Sequence, residues 1–272
     1  MSRPFADVPE DFGGEGKSQF KAVDYVKIIP GVTLKLRVLD KYAHQVYKHY
    51  IPSQKLSILC LGDEICPICI NNRKLIMENP DVYPTQIKGF ISRQTRFMVN
   101  VLNRTMAKQT SSGKYIFPVK GQFPSNDPDS GELLVNMEAT PLNKVQVLER
   151  GSTLFSQLNT TNDSITDETG NPIGLWNYNI GVSASGSGRK MVTTVVAYAH
   201  ENDVVQVPAE ELHALETLGV RLSPNEIEKA LRGVSLRDLY AERRAQDEVA
   251  VGAESAVISN EVQESVSSIF KA

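Results

Sequence analysis

Hydrophobic and polar residues alternate, or gather in short apolar runs, over most of this chain, and helical spacing appears only in short pieces. Residues 46–51 and 56–60 read as two strands of a hairpin around Pro52-Ser53-Gln54-Lys55. A helix is expected from Ile68 to about Met77. The second half of residues 87–102 alternates as a strand does and pairs plausibly with 114–120 across a turn-rich loop, 103–113. Asp, Thr, Gly and Pro make 163–174 a surface loop, and it lacks the spaced acids and terminal glutamate of a calcium-binding EF-hand. Farther on, 208–218 is acidic and amphipathic, Ser223-Pro224-Asn225-Glu226 joins a capping box to a proline at the first helical position, and Ser235-Leu236-Arg237-Asp238 marks another helix start. These patterns predict a mainly β core followed by a helical region.

With 272 residues, 41% hydrophobic and 22% charged, the chain can bury a core of one large or two small domains. No apolar run approaches the roughly 18–20 residues of a membrane span, and the first residues lack the features of a secretory signal, so a cytoplasmic location is expected. The net charge of −3 argues weakly against a polyanion ligand, but the acids are unevenly placed. Residues 82–126 contain no Asp or Glu, and seven bases (Lys88, Arg93, Arg96, Arg104, Lys108, Lys114, Lys120) interleave there with six aromatics (Tyr83, Phe90, Phe97, Tyr115, Phe117, Phe123). Cations that track phosphates beside rings that stack on unpaired bases are what a single strand requires. Half of those rings are expected in the core, and a charge-rich strand face is commonly only solvated.

All three cysteines fall within ten residues, which suits a metal site better than a disulfide framework. In Cys66-Pro67-Ile68-Cys69 the two-residue gap lets both thiolates face one ion, at the start of the expected helix, and Cys60 supplies a third sulfur. A symmetric hairpin loop sets His49 opposite Cys60 and makes it the fourth ligand, with His44 in reserve. A redox Cys-x-x-C pair and three unligated thiols are the competing readings; the first should follow the opening strand of a βαβ unit and has no use for Cys60 or a histidine.

His49, Cys60, the Cys66–Cys69 motif and Ser92-Arg93-Gln94-Thr95-Arg96-Phe97-Met98-Val99-Asn100-Val101-Leu102 occur in the order found in the zinc-containing single-stranded DNA-binding proteins of T-even bacteriophages, which the chain resembles. The likeness continues more diffusely through 147–158, Tyr178-Asn179-Ile180-Gly181-Val182, Gly186 and 190–197. It implies an OB-fold, a five-stranded barrel with a zinc-bearing subdomain, to which the helical pattern read above adds C-terminal helices. It also implies one structural Zn2+, no catalysis, and a role in phage DNA replication, recombination and repair in the host cytoplasm. By position, Arg93, Thr95, Arg96 and Phe97 match the family's DNA-contacting segment, and Tyr83 lies near another aromatic contact region.

The ends depart from the family. Residues 1–16 carry only Arg3 against Asp7, Glu10, Asp11 and Glu15, unlike a basic self-association arm, and 247–272 is a mildly acidic tail that could reach replication or recombination partners. The expected organisation is an arm (1–20), an OB core (21–205) with a zinc subdomain at about 44–80, a helical region (206–246) and the tail. The expected function is coating and protecting single-stranded DNA. A zinc-ribbon interaction module binding duplex DNA or RNA in a transcription or recombination complex is the alternative, and a thiol oxidoreductase using Cys66 and Cys69 is a third. No phosphate-cradling glycine loop, carboxylate cluster or nucleophile–base pair points to catalysis.

Overall fold

The computed structural model describes residues 23–186 and 190–245. The expected N-terminal arm (1–20) and the whole of the acidic tail (247–272) lie outside the described residues. The chain divides into two compact units, a smaller one from 49–93 and 219–245 and a larger one from 23–48 and 94–218.

The larger unit is built on antiparallel strands. Strand β1 (Thr33–Val38) pairs with β4 (Arg93–Asn103) on one side and β9 (Asn179–Ser185) on the other; β10 (Val192–Tyr198) pairs with β9, and β8 (Lys144–Arg150) with β4. Within this unit the strand order is β10-β9-β1-β4; β2 (His44–Ile51) begins in the larger unit, and β3 (Leu56–Leu59) belongs to the smaller one. Alternation decides which face is buried: Leu34 and Leu36 of β1, Val99 and Val101 of β4, Leu148 of β8, and Ile180 and Val182 of β9 gather in one core. Helix α2 (Ser152–Ser164) covers that core with Leu154, Phe155 and Leu158, one turn apart on a single face. A second sheet is small, with β5 (Met106–Gln109) between β6 (Tyr115–Ile116) and β7 (Thr140–Pro141).

In the smaller unit, β3 is followed by helix α1 (Pro67–Glu78), and α3 (Pro224–Leu231) and a helix at 236–245 come from the end of the chain. Ile51, Ile58, Ile68, Leu222, Ile227 and Leu239 form its core. Val220 bridges Ile58, and Gly219 before it has φ +108, with Leu59 only 3.1 Å from where a Cβ would stand. A side chain at 219 would therefore meet both strain and a clash.

The expectation of a mainly β OB-fold barrel is corrected by this topology. The molecule is a mixed α/β fold with two separate sheets, neither closed into a barrel. Alternation of period two is common to barrels and open sheets, so the pattern alone could not separate them. The single-strand-coating function expected with the barrel is corrected with it. Residues 114–120 do not pair with 87–102; Tyr115 and Ile116 pair with Gln109 and Lys108 in the small sheet. Nor is 208–218 a helix, because only short 3-10 turns form at Ala209–Glu211 and Leu215–Thr217. Asn100 explains this, since its side chain accepts the His213 N–H at 2.9 Å and donates to the His213 carbonyl at 3.1 Å, drawing that backbone out of helical pairing. Among the described residues, no helix is long and apolar enough to cross a membrane.

Candidate metal centre and basic segment

Local chain geometry gathers the four sulfur and nitrogen ligands. Strand β2 carries His49; a 3-10 turn over Pro52–Gln54, closed by Lys55 in the left-handed conformation (φ 50), returns the chain into β3, and Cys60 follows that strand directly. The next loop folds back on itself, with Gly62 N–H donating to Cys60 Sγ at 3.4 Å and Cys66 N–H donating to the Gly62 carbonyl at 3.0 Å. Cys66 is the extended N-cap of α1 and Pro67 its first residue, where the missing N–H costs nothing. Cys69 then lies within the first turn, on the same side as Cys66.

The ligand atoms of His49, Cys60, Cys66 and Cys69 all lie within 4.8 Å of one another. His49 Nε2 is 3.3 Å from Cys69 Sγ, which is 3.5 Å from Cys60 Sγ. A tetrahedral zinc with ordinary bond lengths separates its ligand atoms by about 3.6–3.8 Å, so only small shifts are needed to close a shell around one ion. His49 and Cys66 are fully buried and Cys69 nearly so, while Cys60 is half-buried; all three cysteines are free thiols. His44, at the other end of β2, is not in the group.

Electrostatics favour a neutral imidazole and a mixed set of thiols. Burial lowers the His49 pKa, more than the nearby Ile91 and Ser92 backbone raises it. Its Nδ1 is buried without a hydrogen bond of good geometry. For Cys66, burial acts upward, but hydrogen bonds around the sulfur, from the Cys69 and Leu61 backbone first, bring the thiol below its usual value. Cys69 is pushed up, by burial first and then by the two neighbouring sulfurs. Three sulfurs this close repel as thiolates, and a divalent cation removes that cost. Beside them the Asp63 carboxylate accepts from Arg93 Nη1 at 2.5 Å, and the Asp63 carbonyl accepts from Arg73 at 3.1 Å.

The basic segment does not form one continuous track. Tyr83, 70% exposed, and Lys88 stand on the surface of the smaller unit, where Arg93 is the Asp63 partner. In the larger unit Thr95 is half-buried on β4, and Arg96 donates to Gln94 Oε1 at 2.8 Å. Phe97 packs on the core, its ring 5.3 Å from that of Phe155. Arg104 meets Asp203 at 2.8 Å, and Lys114 is paired with Asp127 at 2.9 Å and with Asp129 at 2.5 Å. Lys108 donates to the Leu134 carbonyl at 2.7 Å and lies 5.0 Å from the centre of the Phe123 ring. Lys120 is exposed at a left-handed turn position, φ 50.

Carboxylates absent from 82–126 in sequence thus return to it in space. The four phenylalanines of the segment are half-buried, and its two tyrosines are exposed. Arg150, a half-buried arginine at the end of β8, has no place in that segment and no motif around it to single it out. Neither a protein-family model nor any curated protein matches this chain.

Proposed function

We propose that this chain is a zinc-bearing interaction module that binds duplex DNA or RNA in a transcription or recombination complex, acting by binding rather than by catalysis. The observation that carries the reading is the closed group of His49, Cys60, Cys66 and Cys69, whose four ligand atoms lie within 4.8 Å of one another. Three sulfurs and one imidazole suit zinc, and four protein ligands leave no open position for a substrate or an activated water. The metal's role is then structural, holding β2, β3 and the start of α1 together. Exposed cations are available for phosphate contact within each unit taken by itself, Lys88 in the smaller one and Lys120 in the larger. Their chemistry is counterion release from phosphate, which is sequence-tolerant and sensitive to salt. On this reading the resemblance to the T-even phage proteins is one of metal motif.

Two measurements on the purified chain test the proposal. Elemental analysis should find one zinc per chain without added metal. A salt-titrated binding assay should find that a DNA duplex or an RNA of equal length binds at least as tightly as oligo-dT. Absence of zinc, or no binding to either duplex DNA or RNA, would sink the reading.

A further inference from the structure

Solvent reaches the three sulfurs of the metal group unequally. Cys66 is fully sealed and Cys69 nearly so, whereas Cys60 is half-buried. Their backbones differ as well. Cys66 N–H donates to the Gly62 carbonyl and the Cys66 carbonyl accepts from Ile70 N–H, both at 3.0 Å, which pins Cys66 as the cap of α1, and Cys69 lies inside the first turn of that helix. Cys60 belongs to neither strand nor helix. It follows β3 and opens the loop to Cys66, in which Gly62 has nothing within 4 Å of where a Cβ would stand.

The accessible sulfur has a partner at contact distance. Cys60 Sγ is 3.5 Å from Cys69 Sγ, and a disulfide needs about 2.05 Å, so a closure of about 1.5 Å joins them. Rotation of the Cys60 side chain and a small shift of its loop supply that closure while α1 stays in place. Exposure therefore selects Cys60 as the sulfur that a solute meets first, and proximity selects Cys69 as the one that answers it.

We propose that Cys60 is a peroxide-reactive thiolate whose oxidation closes a Cys60–Cys69 disulfide and discharges the metal. The inference rests on the zinc of the functional reading above and adds a redox response that the reading does not contain. Coordination keeps a thiol deprotonated, and the thiolate is the nucleophile. The Cys60 sulfur attacks one oxygen of hydrogen peroxide or of an organic hydroperoxide, the O–O bond breaks, and hydroxide or alkoxide leaves with the electron pair. Cys60 is then a sulfenic acid. The Cys69 thiolate attacks the Cys60 sulfur, the S–O bond breaks, and hydroxide leaves. The two sulfurs have together given up two electrons, the peroxide has taken them, and the ion is released as Zn2+, unchanged in oxidation state. His49 and Cys66 alone remain as ligands, too few to close a structural site.

The test adds hydrogen peroxide to the full chain purified under reducing conditions, reads released zinc with a chromogenic chelator, and maps disulfides by mass spectrometry of alkylated peptides. Wild type should lose its zinc and gain the Cys60–Cys69 disulfide in step, and a dithiol reductant with added zinc should reverse both. Cys60→His keeps a fourth ligand without a reactive sulfur and should lose the rapid release. Cys69→His removes the answering sulfur and should leave Cys60 as a sulfenic acid that a dimedone probe labels. Zinc held by wild type under peroxide, or zinc released with a Cys66–Cys69 disulfide, would overturn the inference and leave the zinc reading intact. Rapid release from zinc-loaded Cys60→His would do the same, and if that variant takes up no zinc the wild-type disulfide map decides alone. A chain purified without zinc that still forms the Cys60–Cys69 disulfide would instead refute the metal reading and keep Cys60 as the reactive thiol.

Discussion

At the scale of single residues, the chemistry of the metal group reaches beyond its four ligands. A zinc with three thiolates and a neutral imidazole carries a net charge of −1 by formal count, and the charge of Arg93 acts on both Cys60 and Cys69. Asp63, in the loop between Cys60 and Cys66, holds that guanidinium at 2.5 Å. Arg93→Gln, which keeps polarity and loses charge, should lower zinc affinity by about 10-fold, the lower end of the usual cost for outer-shell partners. Competition against a chromophoric chelator reads this directly, and an unchanged affinity would leave Arg93 with no part in the metal centre. Asp127 offers a separate test by pH. Hydrogen bonds from Ser130 and then Lys114 hold its carboxyl at about 2. A folded-state pKa below the unfolded value near 3.9 means that its stabilisation is fully present above about pH 4 and is lost as pH falls through the folded pKa. Urea midpoints of wild type and Asp127→Asn should therefore differ at pH 6 and converge toward pH 2. Parallel curves would show that Asp127 contributes nothing through its charge.

At the scale of elements, capping and packing give the sharper expectations. Ser223 N–H donates to Glu226 Oε2 at 2.7 Å and Glu226 N–H donates back to Ser223 Oγ at 3.4 Å, a reciprocal cap on α3. Ser223→Ala should destabilise the smaller unit by about 0.5–2 kcal/mol. Leu148 has no exposed surface in the larger core, and Leu148→Ala should cost about 2–5 kcal/mol in denaturant titrations. Values below 0.5 kcal/mol for both would contradict the packing described here. The α3 cap was legible in the sequence because a capping box is a four-residue motif. So were the β2–β3 turn and the start of α1, for which Pro52 and the Cys66-Pro67 step suffice. What is legible is local. The Arg104–Asp203 pair spans 99 residues and no motif announces it, which is why an acid-free segment looked like an open cationic track. The same limit hid the course of 208–218, where an amphipathic pattern yields to the Asn100 side chain 113 residues earlier. Barrel and open sheet share one alternation, so closure too depends on long-range pairing that the pattern does not encode.

For the whole molecule, the two units have separate apolar cores, and the metal group belongs entirely to one of them. In the smaller unit the core residues Ile51, Ile58 and Ile68 sit within two residues of His49, Cys60 and Cys66 along the chain, so the ion and the apolar cluster constrain the same backbone. The larger core draws instead on β1, β4, β8, β9 and α2, which carry none of the four ligands. Metal binding to a folded state stabilises what it organises, and structural zinc in small domains often supplies much of the folding free energy. Stripping zinc with a strong chelator should accordingly act by unit. Amides of β3 and α1 should lose hydrogen-exchange protection, whereas those of β1, β9 and β10 should keep theirs. Hydrogen exchange read by mass spectrometry on wild type and Cys66→Ser makes the comparison, and the variant without chelator should reproduce the stripped pattern. Equal loss of protection across both sets of strands would mean that the metal supports the whole chain. Unchanged protection in β3 and α1 would remove the structural role assigned to the ion.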